Sequence, residues 1–148
     1  MTKIFVLLAI LATFMSASYA ELGAPMCSGT EEAAKLPPEQ DAVSAAPQNH
    51  LVLFENEDLR LLEVIVQPGE RETLHHHKWP SVLVVDAFPK IEIYGADGKQ
   101  IASRAQGSTE TPVVMRVPPQ LAVHSIHNVD SKPFHAVRIE YKRACPAK

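Results

Sequence analysis

From His50 onward the chain is a succession of short apolar runs separated by turn residues, and no stretch sustains a helical period. Leu51–Phe54 reads as a short strand, Asn56-Glu57-Asp58 as a turn, and Leu59–Val66 as a second strand with Leu62, Val64 and Val66 on one face. Pro68-Gly69 breaks the chain, and Ser81–Val85 is a continuous apolar strand. Lys90–Tyr94 alternates and returns through Ala96-Asp97-Gly98 into Gln100–Ser103, a hairpin. Thr111–Val117 follows, then Pro118-Pro119. Ala122–Val129 and Phe134–Lys142 make a last hairpin around Asp130-Ser131-Lys132. About eight short strands with turns between them argue an all-β antiparallel sandwich or barrel.

The segment before the strands differs in kind. Residues 1–20 read as a secretory signal peptide: Lys3 supplies the positive charge, Ile4–Phe14 the apolar stretch, and Ser18-Tyr19-Ala20 a small-x-small cleavage site. The alternative, a membrane anchor, fits less well because the apolar run is short and ends in small, polar residues. Residues 21–48 are rich in Ala, Pro, Glu and Gln and read as an extended or partly ordered arm, with one helical turn near Thr30–Lys35 ended by Pro37-Pro38. The expected organisation is therefore a leader (1–20), an arm (21–48), one β-barrel (49–143) and a short tail (144–148). The expected location is periplasmic or secreted.

Formal net charge is -3, with no basic block, so nucleic acid is not an expected partner. No second apolar segment is long enough for a membrane. Cys27 and Cys145 are the two cysteines. Outside a reducing cytosol an even count suggests a disulfide, here joining the two tails; two free thiols are the alternative.

The chemistry concentrates in His75-His76-His77, with His124 and Asn128 far downstream. Alternate residues of a strand share a face, so His75 and His77 point together and His76 points away, into solvent. Two imidazoles joined by a third from a distant strand suit a transition metal; a casual surface cluster is the alternative. By alternation His127 lies on the face opposite His124. In the last strand Arg138, Glu140 and Lys142 look outward, which would turn Val137, Ile139, Tyr141 and His135 inward. Met115 alternates with Val113 and Val117 and is expected to face the core. Glu63 and Glu92 sit between apolar neighbours and are expected to face out.

These residues resemble the cupin superfamily over roughly residues 50–142. Its first motif places His-x-His five residues after a Gly, as His75 and His77 follow Gly69 here. Its second places a His and, four residues on, an Asn, as His124 and Asn128 follow Pro119 here. The Glu that the first motif carries at Ser81 or Val82 is absent, and so is the second motif's Gly at Leu121. The resemblance implies a jelly-roll β-barrel with a metal held by His75, His77 and His124. The fourth corner, a Glu in the family's usual set, is left unfilled by motif. Asn128, His135, Trp79, Tyr94 and Tyr141 are the candidates for supporting or lining that site.

Imidazole donors outside the cytosol favour zinc or copper, then iron, with manganese or nickel behind. Such a site suits a metal-dependent enzyme, oxygenase or lyase/isomerase, acting on a small polar molecule. A non-enzymatic metal- or metabolite-binding cupin and a degenerate metal-free barrel are the alternatives. A small-molecule ligand is an expected partner. So is a second copy of the chain, since cupins often pair through barrel edges.

Overall fold

The computed structural model describes residues 31–106 and 112–143. The leader, Cys27 and Cys145 lie outside the described residues. Among those residues, two single-turn helices, α1 (Glu31–Ala34) and α2 (Ala42–Ala45), flank a 3₁₀ turn at Pro38–Gln40. Nine strands follow: β1 (His50–Glu55), β2 (Leu59–Val66), β3 (His75–His77), β4 (Ser81–Ala87), β5 (Ile91–Gly95), β6 (Gln100–Arg104), β7 (Val113–Val117), β8 (Gln120–Asn128) and β9 (Phe134–Tyr141). No helix of the described residues is long and apolar enough to cross a membrane.

The strands form two antiparallel sheets, ordered β1-β2-β9-β4-β7 and β3-β8-β5-β6. The strand sequences explain the layering. Strand β2 alternates burial without interruption, and its Leu62, Val64 and Val66 meet Val85 of β4, Phe134 and Ala136 of β9, and Ile91 of β5 in one core. Ile126 of β8 and Met115 of β7 pack against that cluster, so both sheets contribute to it. Two glycines carry the backbone where a side chain would be strained. Gly69 after Pro68 has φ 76° and Gly98 in the β5–β6 turn has φ 75°. This is the all-β jelly-roll barrel that the strand pattern implies.

Two expectations need correction. The first is the place of His76, and it turns on the arm, whose part from Pro37 to Asn49 is ordered. Asp41 caps α2 through its side chain, Ala42 and Ala46 are fully buried, and Asp41 bridges to His76 of β3. His76 points away from its neighbours as alternation requires, but it is buried rather than solvated, with Nε2 donating to the Pro37 carbonyl at 3.0 Å. The arm is the lid on that side chain.

The second correction concerns β9. Its burial alternates so that Phe134, Ala136, Arg138 and Glu140 face in, while His135, Val137, Ile139 and Tyr141 face out. Charge had argued the opposite phase. The ions are buried because they are paired. Arg60 of β2 donates to Glu140 at 2.6 Å and to Asp41 at 2.8 Å, and Arg138 lies 3.4 Å from Glu140. Arg60, Arg138, Asp41 and Glu140 thus each have an opposite charge beside them. At the sheet's edge, β1 leaves Leu51, Leu53 and Phe54 about half exposed.

Candidate metal centre

Strand β3 is only three residues long and all three are buried. It pairs with β8, placing His75 opposite His124 and His77 opposite Gln120. The ladder is irregular between these two pairs, so β8 bows past β3. The ring centroids of His75 and His124 are 4.8 Å apart, those of His75 and His77 5.0 Å, and those of His77 and His124 5.8 Å. The structure therefore brings together the three histidines that the motifs single out.

A fourth imidazole completes the cluster. His50, the first residue of β1, lies 4.6 Å from His75 and 5.2 Å from His77, ring centre to ring centre. The ligand atoms of His50, His75 and His77 all lie within 4.8 Å of one another. No motif covers His50. Its signal in the sequence is weak: a histidine that opens a strand after an Ala- and Pro-rich segment. Its arrival at the site depends on α2, whose last turn lets the Ala46 carbonyl accept from both the His50 backbone N–H and its Nδ1.

The ring orientations are set the same way in all four. His50 Nδ1 faces the Ala46 carbonyl at 3.3 Å, His75 Nδ1 the Thr73 carbonyl at 2.8 Å, and His124 Nδ1 the Ala122 carbonyl at 3.0 Å. A carbonyl can only accept, so each Nδ1 carries the proton and each Nε2 keeps its lone pair. His77 Nδ1 stands 2.9 Å from Glu140. Among the described residues no hydrogen bond occupies Nε2 of any of the four. An imidazole anchored through one nitrogen and free at the other is the arrangement a metal ligand needs.

The electrostatics keep the rings neutral. Burial lowers His50 to about 4 and His75 to about 3, and holds His77 and His124 below the ordinary histidine range. The positive charge of Arg138 pushes all four the same way. Arg138 is itself drawn down to about 10 by burial, against the pull of Glu140. Burial pushes the Glu140 carboxyl up, and Arg60 and Arg138 pull it back. Neutral imidazoles are metal-competent without first losing a proton.

The blank at Ser81 has a structural counterpart. Ser81 is fully buried and pairs across the sheet with Glu140, so a carboxylate stands on the next strand, behind His77. There it orients a ring. Alternation concealed it, because Glu140 reads as an outward residue.

The other candidates lie elsewhere. Asn128 is buried, but its amide donates to the Val66 and Lys132 carbonyls at 2.9 and 2.8 Å, and its oxygen accepts from the Asp130 N–H. It ties the β8–β9 turn and touches no ligand. His135 is on the outer face, hydrogen-bonded by Nδ1 to Asp86 and 3.3 Å from Glu63 through Nε2. Those carboxylates raise it, against a smaller loss from burial. Tyr94 donates to Glu92 at 2.6 Å, under the Arg71 guanidinium. Tyr141 faces outward with the rest of its half of β9. Trp79 is stacked by the cationic groups of Arg60, Lys78 and Lys142. It is linked to the centre through Arg60 and packs against none of the four rings.

Comparison with known proteins bears on the fold. No protein-family model matches the chain, and no curated protein matches it. Among solved structures it is similar to a cupin domain from Bordetella pertussis Tohama I, with 22% identity, a TM-score of 0.52, and 63% of this chain and 91% of that chain covered. It is also similar to an RmlC-like cupin family protein with a double-stranded β-helix fold from Methanocaldococcus jannaschii, at 14% identity and a TM-score of 0.46 over 64% of this chain and 79% of that one. A protein with a double-stranded β-helix domain from Klebsiella pneumoniae is 18% identical, with a TM-score of 0.46 over 66% and 74%. The chain has the cupin fold.

Proposed function

We propose that this cupin binds one divalent transition metal in the barrel through His50, His75 and His77, with His124 beside them as a fourth imidazole. The observations that carry this reading are that each of the four Nδ1 atoms is committed to an acceptor and that the ligand atoms of His50, His75 and His77 lie within 4.8 Å of one another. Neutral nitrogen donors favour zinc or copper, then iron, over manganese or nickel. The signal-like leader supports loading outside the cytosol, in a periplasmic or secreted protein. A bound ion would act as a Lewis acid and lower the pKa of a coordinated water.

The burial of the rings favours holding the ion over turning over a large substrate. The four histidines are between 1% and 7% exposed, and His124 is the most open of them. A reactant would have to be small. Metal analysis of protein purified from its own compartment, with titration of metal-free protein by zinc and copper, tests the proposal. One equivalent of metal is expected, lost in both His50→Ala and His75→Ala while circular dichroism stays that of a folded β protein. Absence of any stoichiometric metal would overturn it, and manganese alone would overturn the metal order. Oxygen uptake or lyase activity of the loaded protein towards small acids and thiols would promote the binder to an enzyme.

A further inference from the structure

Glu72, in the connection between β2 and β3, belongs to none of the networks described so far. Its backbone N–H donates to the Ile126 carbonyl at 2.9 Å, and its Oε2 accepts from the Ile126 N–H at 3.0 Å. This two-point clamp onto β8 fixes the carboxyl group. The side chain is fully buried, and Oε1 has no hydrogen-bond partner. His50 Nε2 lies 3.9 Å from it.

With Glu72 ionised, that contact sets acceptor against acceptor. His50 carries its proton on Nδ1, held by the Ala46 carbonyl, so the lone pair of Nε2 faces the carboxyl oxygen. A buried acceptor without a donor costs about 1–3 kcal/mol. Charge accounting gives the same answer. The buried acids are Asp41, Glu72 and Glu140, and the buried arginines are Arg60 and Arg138. Asp41 and Glu140 are matched by the two guanidiniums. Glu72 makes no contact ion pair with an arginine, although Arg138 favours its charged form from a distance, and it lies on the edge of a cluster of neutral imidazoles that Arg138 makes electropositive. A dication placed there needs a negative partner, and Glu72 is the one buried carboxyl not already paired with a guanidinium.

We infer that Glu72 is the carboxylate ligand of the metal held by His50, His75 and His77, supplied from the loop before the His-x-His strand and not from Ser81. The inference rests on the metal-binding reading above. The ligand atoms of one ion stand about 3.0–3.5 Å apart; Glu72 Oε1 is 3.9 Å from His50 Nε2 and outside the group that His50 forms with His75 and His77, so ligation requires the side chain to move towards them. In Glu72→Gln the remaining oxygen can still accept from the Ile126 N–H. The new amide N–H then points at His50 Nε2 and ties up the lone pair the metal needs.

The test is titration of metal-free protein with cobalt(II), read by its visible absorption. Wild type is expected to bind one equivalent, and Glu72→Gln to bind at least tenfold more weakly with shifted bands. The variant should keep the wild-type circular dichroism and show no lower melting temperature in chelator. Equal affinity and an unchanged spectrum in Glu72→Gln, with His75→Ala still abolishing binding, would overturn the Glu72 assignment alone. No binding by wild type would overturn the metal reading and this inference together. Should Glu72→Gln fail to fold, infrared difference spectra of wild type decide. Zinc is expected to convert a buried carboxyl band to a metal-bound carboxylate band, and an unchanged carboxyl region overturns the assignment.

Discussion

Asn128 shows how a motif residue can be structural. It stands four residues after His124, where the resemblance suggests support for a ligand, yet every polar atom of its side chain serves backbone, in the β8–β9 turn and at Val66 of β2. Replacing it by Ala leaves the Val66 and Lys132 carbonyls and the Asp130 N–H without partners in a buried place. Asn128→Ala is therefore expected to cost about 1–3 kcal/mol of stability in denaturant titration. Metal stoichiometry should remain that of the wild type, and a variant that folds normally but binds no metal would contradict this assignment. His50 is the opposite case. No motif marks it, and only its position in space, against His75 and His77, makes it part of the centre.

At the scale of elements, the arm and β9 carry the lesson. Asp41 closes α2 as its cap and also pairs with Arg60, which pairs with Glu140, which orients His77. The arm is thus joined to the centre by a chain of charge-assisted contacts. Asp41→Ala removes the cap and leaves Arg60 half-paired in the interior. A loss of about 3–5 kcal/mol is expected from the broken buried pair, measured as a shift of the denaturant midpoint. A loss below about 1 kcal/mol would mean that the arm is not part of the cooperative unit. The strands themselves were legible, because period-two burial in β2 is written in consecutive residues. The phase of β9 was not. Arg138 and Glu140 look like surface residues until Arg60, 80 positions before Glu140, is brought beside them.

For the whole molecule, the buried titratable groups predict how stability depends on pH in the metal-free protein. His50, near 4, and His75, near 3, are depressed below their ordinary 6.5. Below that value the unfolded chain takes up protons that the native state refuses, so stability falls as pH drops from about 6.5 towards 4 and 3. Glu72 runs the other way: burial raises it to about 8 from 4.5. The native state keeps that proton after the unfolded chain has lost it. Its contribution is full below about 4.5 and is lost as pH rises through 8. His135, raised by Asp86 and Glu63, adds to this alkaline loss. Stability of the metal-free protein is expected to peak near pH 6.5, with four depressed histidines outweighing the two raised carboxyls, Glu72 and Glu140, on the acid side. Glu72→Gln should flatten the alkaline limb. Urea midpoints measured across pH 4–9 in chelator check this, and a monotonic rise with pH would contradict it.

What the sequence by itself determined were the local regularities: short alternating strands, turns at Pro68-Gly69 and Asp97-Gly98, and His75 and His77 on one face. Each is a relation between neighbours, governed by the two-residue repeat of a strand. The tertiary structure alone decided what fills the corner left by Ser81, which charges are inside, and that His50 and Glu72 face each other. Those outcomes depend on partners tens of residues apart. A buried charge or lone pair is tolerable only beside its complement, and the fold chooses the complement.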